Sequence, residues 1–423
     1  MNATFEMQNN SLVPQPKRPF LIVTPPYTRL SAGVTALHLL CHYLNRAGEQ
    51  AFIFHHPPSE SPIRSLPFFA TKFEQPEYPF GFQAPVATQS ILDAYISIDL
   101  FPIVIYPEVF DNPLNAPFFG RYILNYPGLL APKYRSKENF SIAYSKILAE
   151  YVTSEYTDHP KCEKVLFMPT VDLSYWAPPA SNIARTGSCY YAGKLKAIHQ
   201  SVATDFSGRG TEILRSDLMP RSAVREIFQR SEIFYCYEDT ALAIEAELCG
   251  CRTVFVKTEH FAGPTLAASE LGWERKFEGD SREKIGDIRE NRIDIRQTLI
   301  SHISHAPQKI ATMALQWQTL ADATKPRGTL KFDQELHLIY MRGGLAIQQG
   351  DQNAAMDFAK QQIPGPKINP FTDAARRILR ALKRDGFFRT GKRIVRAFAK
   401  HGFLRAVKIL IRKIKGLPRD EAT

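Results

Sequence analysis

The first part of the chain alternates short apolar runs with a helical pattern of apolar positions. Residues 20–24 and 51–54 are apolar apart from Thr24, which predicts two buried strands. Between them, residues 34–47 carry apolar side chains at spacings of three and four, as a helix with one buried face does, and Gly48 stands where such a helix would stop. Strand, helix and strand in this order predict a parallel sheet covered by helices on both faces.

This alternation resumes after a stretch without a clear period. Residues 55–90 are rich in Pro, Phe and Ser, and we expect a long loop there, with His55 and His56 on its surface. Further apolar or β-branched runs predict strands at residues 101–106, 119–124, 150–154 and 165–168. The prolines Pro178 and Pro179 then interrupt the pattern, so we place the end of a first domain at residue 172.

A second series of strands and helices starts after these prolines. It predicts strands at residues 188–192, 211–214, 233–237 and 253–256, helices at residues 222–229 and 240–248, and a loop at Gly193 and Lys194. Two such series predict an α/β protein with two Rossmann-like domains facing a cleft. The predicted segments are a leader at 1–18, domains at 19–172 and 173–325, a helical extension at 326–370 and a tail at 371–423.

Composition adds a strong asymmetry of charge to this picture. The chain has 423 residues, of which 44% are hydrophobic and 22% charged, so it folds into globular domains rather than staying disordered. Its net charge is +11, yet residues 376–415 alone hold fifteen basic residues against the single acid Asp385, a charge of +14. The remainder therefore carries about −3 and gives no sign of a nucleic-acid-binding surface on the domains themselves.

Within the tail, apolar residues recur between the basic ones. Gly386, Gly391 and Gly402 divide it into two or three short amphipathic helices, each with a cationic face and a Leu, Ile and Phe face. Helices of this kind lie in the interface of an anionic membrane. The alternatives are a tail docked on the domains and a nucleic-acid-binding arm, although the periodic apolar residues exceed what an electrostatic arm needs.

Other features bear on location and on metals. Residues 1–19 lack the apolar core of a signal peptide, and no run reaches the roughly 18 apolar residues that cross a bilayer, so we expect a cytoplasmic protein, peripheral on the inner face of the cell membrane. The six cysteines are scattered without metal spacing, which suits a reducing compartment. His38 and His42 are spaced like ligands on one helix but lack a partner Glu and a third ligand, so we expect no metal there.

The junction after residues 233–237 carries the most informative chemistry. An acidic turn leads into the predicted helix near Thr240, and the amides of Asp239, Thr240 and Ala241 would point out of its N-terminus. A helix N-terminus offers unpaired N–H groups and a partial positive charge, which suits a diphosphate. Glu245 lies about one and a half turns further on, where its carboxylate could accept hydrogen bonds from a ribose.

These residues resemble the GT-B glycosyltransferases, particularly the bacterial retaining group with a Glu-x7-Glu signature, over residues 20–323. The resemblance implies that Glu245 binds the donor ribose. Tyr237 stands at the first Glu position and Glu238 is one residue out of register, and both are candidates for contact with the sugar. It also implies that Lys194, with Lys196 as a second choice, neutralises the donor diphosphate, and that the loop ending at Gly33 approaches the phosphates.

The resemblance implies an activity as well. A sugar would pass from a nucleotide-diphosphate sugar, bound by the second domain, to a glycan or lipid-linked acceptor at the first, in bacterial surface polysaccharide synthesis. No cofactor or metal is expected, since no Asp-x-Asp triplet follows a strand. Glu108 and Arg121 are expected to face the cleft, and Glu108 could orient the acceptor or act as base. The alternatives are a non-catalytic scaffold anchored by its tail and a nucleotide-sugar epimerase.

Overall fold

The computed structural model describes residues 17–56, 83–181, 183–198, 208–214, 219–258, 261, 265–272 and 294–348. All of these belong to one compact unit. The leader up to residue 16, most of the predicted loop at 55–90, the end of the helical extension and the whole basic tail lie outside the described residues. The predictions made for them, including the amphipathic helices of the tail, stay predictions.

The first sheet has six parallel strands in the order β2-β1-β3-β4-β5-β6. They are β1 Phe20–Thr24, β2 Ala51–His55, β3 Ile103–Pro107, β4 Phe119–Ile123, β5 Phe140–Ala143 and β6 Lys164–Val165. Every residue of β1, β3, β4 and β5 is buried, as expected for strands covered on both faces. The parallel sheet predicted from the first strand, helix and strand is confirmed.

Three helices connect the strands of the first sheet. They are α1 Ala32–Arg46, α2 Gln89–Ser97 and α3 Lys146–Glu155. Each begins after a hydroxyl side chain that accepts a hydrogen bond from the backbone three residues on: Ser31 from Val34, Thr88 from Ile91 and Ser145 from Leu148. These caps fix where each helix starts and therefore where the loop before it must turn.

Some local predictions for this half are wrong. The predicted strand at 150–154 belongs to α3, because Leu148, Ala149 and Val152 are buried at helical spacing, and this packing outweighs the β-branched character of the segment. His55, expected on the surface of a loop, is the last residue of β2 and only 6% exposed. Helix α2 and strand β5 carried no signal that we used.

The second sheet has four parallel strands in the order β10-β9-β7-β8. They are β7 Ser188–Tyr191, β8 Thr211–Glu212, β9 Ile233–Cys236 and β10 Arg252–Phe255. The helices are α4 Gly193–Ile198, α5 Arg221–Arg230, α6 Leu242–Leu248 and α7 Ala268–Leu271. The loop predicted at Gly193 and Lys194 is wrong, because α4 begins at Gly193. The predicted class, α/β with two parallel sheets, is confirmed.

Two further helices complete the described chain, α8 Ile295–Thr324 and α9 Gln334–Gln348. Helix α8 starts against the core of the second sheet through Leu299 and continues onto the core of the first. There Trp317 stacks on Phe140, with ring centroids 4.8 Å apart. One helix thus packs on both cores, and the predicted domain boundaries at residues 172, 325 and 370 stay predictions.

Three histidines are buried beside the outer strand β2: His38, His55 and His337, which are 3%, 6% and 4% exposed. The ring of His337 stacks on Phe54 at 4.5 Å, and Nδ1 of His38 donates to the carbonyl of Val34 at 2.9 Å. Burial lowers the pKa of His38 to about 4, and burial together with the neighbouring His38 lowers that of His55 to about 3. These rings are therefore neutral at pH 7.

We expect the free energy of unfolding to fall as the pH is lowered from 6.5 toward 4. In this range the unfolded chain, with an ordinary histidine pKa of 6.5, binds protons that folded His38 and His55 do not bind. Each of the two histidines adds about 1.4 kcal/mol per pH unit to the slope of the free energy of unfolding against pH. Urea titrations at pH 7, 6 and 5 measure this free energy.

The matched variants are His38→Gln and, as a control at an exposed position, His305→Gln. In the His38→Gln variant, the free energy of unfolding should change with pH by about 1.4 kcal/mol per unit less than in the wild type. The control should keep the wild-type slope. Equal slopes in all three proteins would show that His38 is not held neutral by the fold.

Candidate functional site

A pocket lies between the loop that follows β1 and the helices α5 and α6. Its walls therefore come from elements of both sheets. The carboxyl ends of parallel strands are where such sheets bind ligands. Its position makes this pocket the candidate binding site.

The first wall is the loop between β1 and α1 together with the start of α1. Tyr27, Arg29 and Leu30 line the pocket from the loop, and Thr35 lines it from the helix. Gly33, predicted to end the loop, lies in the first turn of α1, and a Cβ added to it would come 3.7 Å from the side chain of Leu124. The loop thus ends at Ser31, and contact between Gly33 and a phosphate stays a prediction.

The second wall includes helix α6, from which Leu242 and Glu245 line the pocket. Glu245 stands in the first turn of the helix, where its backbone N–H donates to the carbonyl of Ala241 at 3.1 Å. The backbone is thereby fixed while the carboxylate borders the cavity. Among the predicted site residues whose side chains the structure describes, only Glu245 lines this pocket, and its contact with a ribose stays a prediction.

The acidic turn before α6 is placed differently from what the sequence suggested. Helix α6 begins at Leu242, so Asp239, Thr240 and Ala241 precede its first turn. Oδ2 of Asp239 accepts a hydrogen bond from the backbone N–H of Leu266 at 2.6 Å, and Oγ1 of Thr240 accepts one from Leu242 at 3.4 Å. These side chains shape the turn, and none of the three residues lines the pocket.

Tyr237 and Glu238 are both buried, at 2% and 6% exposure. Oε2 of Glu238 accepts a hydrogen bond from the backbone N–H of Leu195 at 3.1 Å, in the first turn of α4. Tyr237 packs on the ring of Tyr190. Neither residue lines the pocket, and a contact of either with a sugar stays a prediction.

The two predicted cations lie in α4. The backbone of Lys194 belongs to the first turn of this helix, while its side chain lies outside the described part of the chain. Lys196 forms an ion pair with Glu212, whose other carboxylate oxygen accepts a hydrogen bond from the Tyr190 hydroxyl at 3.1 Å. Lys196 is thus held by an acidic partner, and Lys194 remains the predicted cation.

Glu108 follows β3 and is 4% exposed. Its Oε2 accepts a hydrogen bond from the backbone N–H of Leu124, at 2.9 Å. Burial raises the pKa of the Glu108 carboxyl to about 7, although the Leu124 amide acts in the opposite direction. Since Leu124 also borders Gly33, Glu108 lies near the first turn of α1, with a pKa suited to proton transfer near neutral pH.

Arg121 does not face the cleft, contrary to the expectation. It is fully buried, with its Nε 3.4 Å from Oε2 of Glu138 and its guanidinium 3.7 Å from the ring centroid of Tyr134. Glu138 also accepts hydrogen bonds from Ser141 at 2.6 Å and from His159 at 2.9 Å. A buried charge needs such partners, so Arg121 has a structural role in the first sheet.

Several lining residues were not predicted as site residues from the sequence, among them Arg29, Asp172, Trp176 and Arg221. Arg221 is the first residue of α5 and follows Pro220 directly. A basic residue behind a proline, after a strand of the second series, is a signal that could have found it. Arg29 and Trp176 become visible only in the structure, because residues far apart in the chain meet there.

The described residues contain no group of three or more His, Cys, Asp or Glu residues arranged to hold a metal ion. None of their helices is long and apolar enough to span a membrane.

No protein family and no curated protein sequence matches the chain. Solved structures that resemble it include the glycosyltransferase SnogD from Streptomyces nogalater, with 14% identity, 73% of this chain and 99% of that chain covered, and a TM-score of 0.33. They also include the spinosyn rhamnosyltransferase SpnG complexed with thymidine diphosphate, with 11% identity, 72% of this chain and 96% of that chain covered, and a TM-score of 0.27. For SpnG complexed with spinosyn aglycone the identity is 12%, the coverage is 73% of this chain and 96% of that chain, and the TM-score is 0.28. At these TM-scores, the function proposed below rests on the pocket itself.

Proposed function

We propose that the protein is a glycosyltransferase that moves a sugar from a nucleoside-diphosphate sugar to a hydroxyl group of an acceptor. The observation that carries this proposal is the pocket, formed at the carboxyl ends of two parallel α/β sheets and bordered by the Glu245 carboxylate. Two sheets that share one pocket can hold donor and acceptor against each other.

The second-sheet side of the pocket has the chemistry of a nucleoside site. Leu214, Met219 and Val224 give an apolar surface on which a nucleobase can rest, and Glu245 lies in the same wall. A carboxylate that accepts hydrogen bonds from both ribose hydroxyls is a common way of holding a nucleotide. The apolar surface and the carboxylate together support binding of the nucleoside-diphosphate sugar at the second-sheet wall of the pocket.

The reaction is a substitution at the anomeric carbon of the donor. The acceptor oxygen forms a bond to this carbon, the bond from the carbon to the diphosphate oxygen breaks, and the nucleoside diphosphate leaves with the electron pair. The acceptor's proton goes to a base, for which we propose Glu108. Its pKa of about 7 matches this role, because a base works best when its pKa is near the working pH.

For the acceptor we propose a glycan or a lipid-linked glycan of bacterial surface polysaccharide synthesis. The support is the tail at residues 376–415, with fifteen basic residues interleaved with apolar ones. Such a segment binds an anionic membrane from the cytoplasmic side and would hold the pocket near lipid-linked acceptors. Sedimentation of the full chain with phosphatidylglycerol vesicles, but not with phosphatidylcholine vesicles, is the expected result.

Two other functions remain as alternatives. A non-catalytic scaffold is favoured by Tyr237, which occupies the first Glu position of the signature and is buried away from the pocket. A nucleotide-sugar epimerase would use the same donor pocket without an acceptor.

One assay separates the three functions. The full chain is incubated with UDP-, GDP-, dTDP- and CMP-linked sugars, with and without a detergent extract of lipid-linked glycans. A transferase releases nucleotide from one donor, and faster with the extract. An epimerase changes the sugar without it. A protein that consumes none of the donors in either condition contradicts the proposal and favours the scaffold.

A further inference from the structure

The N-terminus of α5 opens onto the pocket. Its first residue Arg221 and its fourth residue Val224 both line the cavity. Pro220 precedes the helix, and no side chain caps it. The first amides of a helix carry a partial positive charge, so this end of α5 turns a positive potential toward the pocket.

Arg221 adds a full positive charge at the same place. Its guanidinium carbon lies 4.2 Å from the ring centroid of Tyr175 and 5.2 Å from that of Trp176. Stacking on aromatic faces holds the planar group in one orientation, and a planar guanidinium can donate two parallel hydrogen bonds to a phosphate. The cation is thus positioned before any ligand arrives.

Trp176 supplies a second and independent observation. It lines the pocket and is only 2% exposed, yet its indole Nε1–H has no hydrogen-bond partner among the described residues. Buried donors are normally satisfied, so one left without a partner beside a ligand pocket indicates that a ligand atom completes it. An indole N–H only donates, so that atom must be an acceptor, such as a phosphate oxygen.

The acidic residues of the pocket fit the same arrangement. Oδ1 of Asp172 accepts hydrogen bonds from the backbone N–H groups of Ser174 and Tyr175 at 2.9 and 3.1 Å, which holds the turn that leads to Trp176. Glu245 lies on α6, in the same wall of the cavity as α5. A ribose and the phosphates attached to it are neighbours in every nucleotide, so one molecule can reach both helices.

We propose that the diphosphate of the donor lies against the N-terminus of α5, where Arg221 offsets its charge and the Nε1–H of Trp176 donates to one of its oxygens. This placement rests on the proposed function, because it concerns the same pocket and the same donor. It differs from the three phosphate sites suggested by the sequence, which are Lys194, the turn at Asp239 and the loop ending at Gly33.

The test is a calorimetric titration of the full chain with UDP, GDP, ADP and dTDP, followed by the nucleoside of the diphosphate that binds most tightly. Arg221→Gln should weaken the affinity for the diphosphate about ten- to hundredfold, as expected for lost hydrogen bonds to a charged group. It should change the affinity for the nucleoside less than twofold. Arg221→Lys should recover part of the loss. Trp176→Phe keeps an aromatic ring but removes the N–H donor, and it should weaken the affinity for the diphosphate about threefold or more.

Arg230→Gln is the matched control. Arg230 is the last residue of α5, at the other end of the helix from Arg221, and its exposed side chain pairs with Glu226 at 2.7 Å without lining the pocket. This variant should leave both affinities unchanged. If Arg221→Gln weakens nucleoside and diphosphate alike, or neither, the placement is wrong while nucleotide binding stands. If the wild type binds none of the four diphosphates, the proposed function fails and this placement fails with it.

Discussion

Glu108→Gln should lower kcat by about a hundred- to ten-thousandfold, which is the usual contribution of a general base. Glutamine keeps the size of the neutral acid and an oxygen that can accept from the Leu124 N–H, but it cannot take a proton from the acceptor hydroxyl. Affinity for the donor should stay within twofold, since Glu108 lies beside Leu124 on the first-sheet side and not on α5 or α6, where we propose that the donor binds.

The pH profile tests the same residue in a second way. With a pKa of about 7, Glu108 is increasingly protonated as the pH falls below 7, so wild-type kcat should decline on the acid side. The residual activity of Glu108→Gln should lack this decline. As a control, Glu163→Gln changes an exposed carboxylate ahead of β6 and should leave rate and profile unchanged. A Glu108→Gln protein that melts at the wild-type temperature and has a kcat within threefold of the wild type would show that Glu108 is not the general base.

Glu245→Gln should weaken binding of the nucleoside diphosphate about ten- to hundredfold, because hydrogen bonds to a charged group contribute roughly 1.5–3 kcal/mol. The loss should disappear with the 2′,3′-dideoxy form of the same diphosphate, which has no ribose hydroxyls to offer. Calorimetric titration of both ligands into wild type and variant gives the comparison directly.

The control for this comparison is Glu226→Gln. Glu226 is exposed on α5 and paired with Arg230 at 2.7 Å, so the variant removes a carboxylate near the pocket without touching it. It should bind both ligands like the wild type. If Glu245→Gln weakens the dideoxy ligand as much as the ribose ligand, the carboxylate acts on the pocket as a whole and does not hold the ribose.

Where local pattern and burial agree, the sequence predicts this fold well. The strands β1 and β2 and the helix between them follow from apolar runs and helical spacing, because the first sheet buries these strands on two faces. The same signals predicted α5 and β9. Where long-range packing decides, the prediction is wrong, as for the strand predicted at 150–154.

His55 shows the same limit for a single residue. It follows the apolar run at residues 51–54, but it is polar itself and precedes His56 and two prolines, so the pattern indicated the start of a loop. Helices α9 and α1 nevertheless cover it through Tyr340 and His38. Such coverage comes from residues distant in the chain. The sequence alone therefore could not place the buried histidines.

The candidate site divides in a similar way. Glu245 was predicted from its place in a helix after a strand of the second series, and it lines the pocket. Arg29, Trp176 and Arg221 come from three separate loops or helix ends, and only folding brings them together. The turn at Asp239 had the composition of an anion site, but its side chain is used to hold the backbone of Leu266.

The central claim is that this pocket binds a nucleoside diphosphate, and a calorimetric titration of the wild-type full chain with UDP, GDP, ADP and dTDP tests it most directly. Our account predicts that one of the four binds with 1:1 stoichiometry, and more tightly than its own nucleoside. Absence of binding by all four at millimolar concentrations would contradict the account and make the basic tail the part of the chain to study first.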